Sequence, residues 1–241
     1  MQIITIAAIK GGTGKTTTAA ALSQAAANDN KKVLVIDLDP QANLTYITGA
    51  EMLPGSYNLL HGEDPARLIQ HTAQNIDVIA GDPELSLEQS RNASANRLKN
   101  ALEPIKRKYD FIFIDTPPTM GELTYNALNA STGLLIPLEA DINSIQGLYY
   151  IVDVAKQIQA QNTKLKIKGS ILTRYDNRPN IHKYFKQTIE EAGKELKAPF
   201  LAAIRAGVAL QEAQARKRSL YEYAPKSNPA IDYKALYEII K

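Results

Sequence analysis

The 241-residue chain contains no cysteine, which excludes disulfide bonds and any iron–sulfur cluster held by thiolates. Glycine and proline are sparse, at 13 and 12 residues, which argues against disorder. With 44% hydrophobic residues the chain can fill one large core, and its length does not demand two. No apolar run approaches the roughly 20 residues needed to span a bilayer. A polar, glycine-rich loop follows the first apolar run, where a secretory leader would carry its cleavage site. The expectation is one soluble cytoplasmic domain over residues 1–241, with no linker, repeat or low-complexity segment.

The net charge is small, but the charges are unevenly placed. The net charge is +3, yet residues 1–150 hold 11 Lys and Arg against 16 Asp and Glu, while residues 151–241 hold 17 against 9. The C-terminal part is therefore a basic surface suited to a polyanion, giving salt-dependent affinity without base readout. Arg174, Arg178, Lys183, Lys186, Arg205, Arg216, Lys217 and Arg218 are its candidate contacts, and the run Arg216-Lys217-Arg218 is the best cluster.

What is present is dominated by one loop. Residues 2–9 form an isoleucine-rich run typical of a strand buried on both faces, and the small residues of 16–27 read as a helix. Between them stands K-G-G-T-G-K-T-T. Gly11, Gly12 and Gly14, with Thr13, bring backbone N–H groups close to phosphate oxygens, and the helix N-terminus adds its positive dipole. Lys15 is placed to reach the β- and γ-phosphates, Thr16 to complete a Mg²⁺ shell and Thr17 to touch the α-phosphate. The ordinary pattern needs a glycine at position 9, where Ile9 stands, and a second lysine, Lys10, precedes the loop.

Two further apolar runs end in acid. Residues 33–37 lead into Asp37-Leu38-Asp39-Pro40-Gln41, whose carboxylates at i and i+2 project to one side of an extended chain. Residues 109–114 lead into Asp115, which is expected to hold Mg²⁺ through a water. The segment 116–121 is expected to sense the γ-phosphate. More strands are expected at 76–80, 133–137, 167–172 and 200–204, with helices at 93–108, 123–130, 144–160, 181–196 and 208–218. This alternation predicts an α/β fold, a mostly parallel twisted sheet with helices on both faces.

The deviant loop resembles that of the ParA/MinD family of P-loop ATPases, and the likeness to the ParA/Soj partition ATPases extends over nearly the whole chain. Leu172-Thr173-Arg174-Tyr175-Asp176 looks like the family's T-x-Y-D/N segment beside adenine. Residues 208–213 look like V-R-L-S-E-A, and 223–227 like Y-D-P-K-S. The resemblance implies that Lys10 crosses a homodimer interface to the partner's ATP and that Asp39 holds the attacking water. It also implies that Asp37 lies near the metal's outer shell and Asp176 near the base. The family's DNA-contacting arginine is Ala209 here, which shifts that role to Arg205 or to residues 216–218. The implied cofactors are ATP and Mg²⁺; the implied partners are a second copy, non-specific nucleoid DNA and a ParB-type centromere-binding protein. The extra N-terminal DNA-reading domain of larger plasmid relatives is expected to be missing. Cysteine-free composition separates the chain from nitrogenase iron proteins, cluster scaffolds and arsenite-pump ATPases.

Two other functions were open to the same loop. A MinD-like membrane switch needs a basic amphipathic C-terminal helix, yet residues 230–241 offer only Lys234 and Lys241 as cations and read more simply as a packed helix. A bacterial tyrosine kinase is suggested by Tyr221, Tyr223, Tyr233 and Tyr237, which packing explains better.

Overall fold

Short apolar runs become the strands of one eight-stranded sheet in a computed structural model that describes residues 1–88 and 94–241. The strands are β1 (Gln2–Ile6), β2 (Val33–Asp37), β3 (Gln70–His71), β4 (Asp77–Ile79), β5 (Phe111–Asp115), β6 (Gly133–Leu138), β7 (Lys166–Tyr175) and β8 (Phe200–Arg205). Their order is β3-β4-β2-β5-β1-β6-β7-β8. Every pairing is parallel except the two-residue β3 against β4. All the long strands thus present their carboxyl ends at one edge of the sheet, where open α/β folds bind ligands.

The connecting helices are α1 (Lys15–Asn28), α2 (Asn43–Thr48), α3 (Ser56–Leu60), α4 (Pro65–Leu68), α5 (Arg97–Leu102), α6 (Glu122–Ala130), α7 (Ile142–Gln159), α8 (Asn180–Leu196), α9 (Val208–Ala215), α10 (Leu220–Tyr223) and α11 (Asn228–Ile240). Alternate strand residues feed opposite layers. Ile4, Ile6, Val35 and Phe113 share a cluster with α1, α2 and α11, whereas Ile3, Leu34, Ile36 and Ile114 share one with α3, α5 and α6. Leu134 and Ile136 pack with α7 and α8. Both faces are covered, which is why these strands read as continuous apolar runs.

Several boundaries differ from expectation. β1 stops at Ile6 because the chain leaves the sheet to begin the glycine loop. The helix expected over 93–108 has its first residue, Ala93, outside the described residues; within them it is only α5 and a 3₁₀ turn, Lys106–Lys108. Pro104 cannot continue a helix, which accounts for the stop. α9 ends at Ala215, and Lys217 adopts a left-handed φ of 53° that turns the chain into α10.

One face of the last helix belongs to the core, while Ile231 and Ile239 stay exposed. Tyr233, Leu236, Tyr237 and Ile240 are each 2% exposed or less. The Tyr233 hydroxyl lies 3.0 Å from Thr18 Oγ1, and the Tyr237 hydroxyl donates to Asp29 at 2.9 Å. Among the described residues no helix is long and apolar enough to cross a membrane.

Candidate functional site

The glycine loop leaves the carboxyl end of β1 and opens α1. Gly12 and Gly14 have φ of 81° and 83°, a region only glycine occupies without strain, and no atom lies within 4 Å of where a Gly12 Cβ would stand. Gly14 is the N-cap of α1 and supplies no side-chain acceptor. The first amides of α1 therefore face open space beside Gly11 and Gly12, an arrangement that accepts an anion. Behind the loop, Thr173 Oγ1 donates to the carbonyls of Thr13 and Leu138 at 2.9 and 3.0 Å, so the ends of β6 and β7 brace it.

Its two lysines point in different directions. Lys15 is 5% exposed and its Nζ donates to the Lys10 carbonyl at 3.3 Å. Burial lowers its pKa, while Asp115 and Asp39 pull the other way. Lys10 turns out of the cradle instead. Its side chain is 41% exposed, and its Nζ meets Asp141 Oδ2 at 2.8 Å and Glu139 Oε2 at 2.9 Å. Those hydrogen bonds, Asp141's first, raise the Lys10 pKa. Arg174, itself at φ 51°, shares Glu139 at 2.9 Å.

The three aspartates differ in the same instructive way. Asp37 and Asp115 are register neighbours on β2 and β5. Asp37 is saturated: Oδ2 accepts from the Thr45 amide and hydroxyl at 2.9 and 2.8 Å, and Oδ1 from the Asp39 amide at 3.1 Å. Burial nevertheless pushes its pKa up to about 6. Its visible work is to anchor the start of α2. Asp115 accepts from the Thr116 amide through Oδ1 at 3.1 Å, but its buried Oδ2 has no hydrogen-bond partner. Burial first, and the Asp37 charge second, drive its pKa well above the usual carboxylate range, although the nearby Thr16 hydroxyl favours the anion. Asp39 accepts from the Gln41 amide at 3.0 Å and borders a cavity of about 1010 Å³ shared with Pro117, Pro118, Met120, Glu122 and Tyr150.

An orphaned carboxylate oxygen, a threonine hydroxyl and a helix N-terminus meet at one point. They fit a polyphosphate with a magnesium ion that keeps most of its waters. Among the described residues no group of three or more His, Asp or Glu could hold a metal alone.

A second cavity of about 480 Å³ adjoins Gly14 and Thr17 and is walled by Thr173, Arg174, Arg205 and Gln214, a volume in the range of small-molecule sites. Two expected residues are engaged by partners within the chain. Asp176 does not line this cavity; Arg178 binds its carboxylate with Nη2 at 2.6 Å and holds its pKa down at about 2. Arg205 does line it, and is locked to Asp232 through Nε and Nη2 at 2.9 and 2.7 Å. Arg216, Lys217 and Arg218 are exposed together at the α9–α10 corner. Sequence reasoning missed Glu139 and Asp141 altogether, because nothing near residue 140 marks a pairing with Lys10 some 130 positions earlier.

Comparison with known proteins agrees with this geometry. A family model described as an AAA domain matches residues 1–167. The chain is 36% identical over 243 residues to the sporulation initiation inhibitor protein Soj of Bacillus subtilis, covering 96% of this chain and 95% of Soj. Among solved structures, apo McdA of Cyanothece superposes with a TM-score of 0.88 at 26% identity, each chain covered in full. The septum site-determining protein MinD of Pyrococcus horikoshii, complexed with Mg-ADP, gives 0.82 at 28% identity, covering 100% of this chain and 96% of that one. With the deviant lysine, the glycine cradle and the strand-end aspartates in place, the chain belongs to the ParA/Soj family of P-loop ATPases.

Proposed function

We propose that this protein is a DNA-partitioning switch: ATP and Mg²⁺ join two copies face to face, the dimer holds DNA non-specifically, and a ParB-type partner triggers hydrolysis and release. The observation that carries this reading is the divergence of the two lysines. Lys15 lies inside its own cradle while Lys10, 41% exposed in its side chain, stands outside it at the edge a second copy would cover. Ile142, Ile181 and Val208, each more than half exposed, begin the helices that follow β6, β7 and β8. They supply apolar contact area at that same edge.

In this mechanism the amides of residues 11–17 bind the phosphates and Lys15 neutralises the β- and γ-oxygens. Thr16 and Asp115 would hold Mg²⁺, with Asp37 toward its outer shell, and the ion would supply charge neutralisation; Asp37 also anchors α2. Asp39 orients the attacking water, and Lys10 of the facing subunit stabilises the charge that develops on transfer. Such a trans-acting cation is typically worth about 10³–10⁵ in rate, so turnover is slow until the dimer forms and its partner aligns it. Asp176 is assigned to the base side of the site. Arg216, Lys217 and Arg218 supply the DNA contacts, with Arg205 a weaker candidate.

Sedimentation with a non-hydrolysable ATP analogue and Mg²⁺ tests the core of this reading. A dimer is expected for the wild type, a persistent ATP-dimer for Asp39→Ala, and retained nucleotide binding without stimulated turnover for Lys10→Ala. A wild type that stays monomeric under these conditions sinks it. A membrane-positioning role lacks comparable support, since Tyr233, Leu236, Tyr237 and Ile240 of α11 are buried and only Ile231 and Ile239 of its large apolar residues are exposed; co-sedimentation with vesicles but not with DNA would reinstate it.

A further inference from the structure

The exposed run Arg216-Lys217-Arg218 is backed by aromatic rings. Lys217 Nζ lies 4.5 Å from the ring centre of Tyr46 on α2, and the Arg216 and Arg218 guanidinium carbons lie 5.6 and 5.9 Å from that of Tyr223. Arg218 also pairs with Glu222. Among the described residues neither Arg216 nor Lys217 has a carboxylate partner, so both charges are available to phosphates.

Beneath this corner, side-chain amides tie it to the helix that begins at the phosphate loop. At the loop end, Gln214 Nε2 on α9 donates to Thr17 Oγ1 at 3.1 Å. Two turns further along α1, Gln24 Oε1 accepts from the Leu220 amide at 3.0 Å, and Gln24 Nε2 donates to Gln74 Oε1 at 2.7 Å. Gln74 Nε2 then donates to the carbonyls of Lys217 and Ile47 at 3.1 and 2.7 Å, which connects the corner to α2 beside Tyr46. Gln24 and Gln74 are 3% and 9% exposed. Buried amides of this kind are costly unless bonded, so a satisfied pair specifies one arrangement of the parts it joins.

We infer that Gln24, Gln74 and Gln214 are positioning residues that fix the Arg216–Lys217–Arg218 corner to the phosphate-loop helix, making its grip on duplex DNA answer to the nucleotide. The inference rests on the DNA-binding reading above. A phosphate arriving at Thr17 accepts from the same hydroxyl whose oxygen accepts from Gln214, so the two bonds strengthen each other and link the phosphate to α9, which ends one residue before Arg216. Gln24 and Gln74 keep the remainder of the corner from shifting independently. A corner held in place also loses less conformational freedom when it meets the DNA backbone.

The test is fluorescence anisotropy with random-sequence duplex DNA at one fixed salt concentration, comparing the non-hydrolysable ATP analogue with ADP. Gln24→Leu, Gln74→Leu and Gln214→Leu are each expected to weaken analogue-dependent DNA binding roughly tenfold, the scale of one hydrogen bond. The analogue-to-ADP ratio should fall toward one, with dimerisation measured by sedimentation unchanged in Gln24→Leu and Gln74→Leu; Gln214, which lines the cavity beside Thr17, is compared at analogue concentrations that sedimentation shows to give the full dimer. Gln214 is only half-buried, so Gln214→Leu decides the matter if the two buried variants fail to fold. Wild-type ratios in Gln214→Leu and in any folded variant of the other two overturn the inference. A separate variant combining Arg216→Ala, Lys217→Gly and Arg218→Ala tests the underlying reading. Glycine preserves the left-handed backbone at 217 while removing the charge, and full DNA binding by this variant would refute DNA contact at this corner.

Discussion

Lys10 and Asp141 form an ion pair at 2.8 Å within a single subunit, with Glu139 completing the clasp at 2.9 Å. The residue assigned to the partner's nucleotide is thus held by its own chain before any partner arrives. In the proposed dimer Lys10 exchanges these two carboxylates for a phosphate. At this exposure each pair contributes about 0.2–1 kcal/mol. Combining Glu139→Gln with Asp141→Asn is therefore expected to favour the ATP-dependent dimer severalfold. Asparagine keeps an acceptor for the Ser144 amide, which Asp141 caps at 3.0 Å. Sedimentation equilibrium with the ATP analogue reads the shift, and an unchanged dimer constant contradicts a restraining role for the clasp.

The aspartates under the loop make stability depend on pH in an unusual direction. Asp37 is raised to about 6 by burial, above an unfolded aspartate's value of about 3.9. Between those values the folded chain binds more protons than the unfolded chain. Stability therefore falls as pH rises from about 4 to about 6, and the loss is complete above that. Asp115, shifted upward by burial and by Asp37, acts with the same sign. Asp115→Asn keeps an acceptor for the Thr116 amide and removes the buried charge. It is expected to make the stability of the nucleotide-free protein less dependent on pH. The same variant should lose stabilisation by Mg²⁺ with ATP. Thermal melts at about pH 5 and about pH 7.5 check both halves; an unaltered Mg²⁺ response would separate Asp115 from the metal.

Leu236 tests what α11 is for. It is completely buried on the face that meets α1, so Leu236→Ala should cost about 2–5 kcal/mol of stability. A helix reserved for a lipid surface would tolerate the change with little loss of fold. Urea unfolding measures the cost, and a near-neutral result combined with vesicle binding would favour the membrane role.

The parts of this molecule legible in sequence are those whose signal is local. β2 and β5 are continuous apolar runs ended by acid because both faces are covered, and the glycine loop declares itself through residues whose backbone angles few others adopt. Short elements were silent. α2, α3 and α4 have six, five and four residues, too few for a helical period to emerge, and β3 is a polar two-residue edge strand, Gln70–His71. The clasp on Lys10 and the Gln24–Gln74 pair were unreadable for another reason. Their partners lie about 130 and 50 positions apart, and only the strand order brings them together. Arg205 was legible in part, since its charge is plain in the sequence but its pairing with Asp232, 27 positions away, is not.

That last case yields a separation of two binding events. Arg205 is a member of the wall beside Gly14 and Thr17, and its backbone N–H and guanidinium both donate to Asp232, which joins the end of β8 to α11. A charge so engaged contributes little to a polyanion outside, while its place beside Gly14 and Thr17 puts it near the proposed phosphate site. Arg205→Ala is therefore expected to weaken nucleotide binding while leaving the salt dependence of DNA binding in place. Arg216→Ala should reduce the slope of log affinity against log salt by about 0.9, the value for one phosphate contact, with nucleotide affinity unchanged. Titrations of both variants over a range of salt concentrations distinguish the two positions. If Arg205→Ala lowers the slope as much as Arg216→Ala does, then Arg205 reaches DNA, and the ion pair with Asp232 must open when the dimer binds.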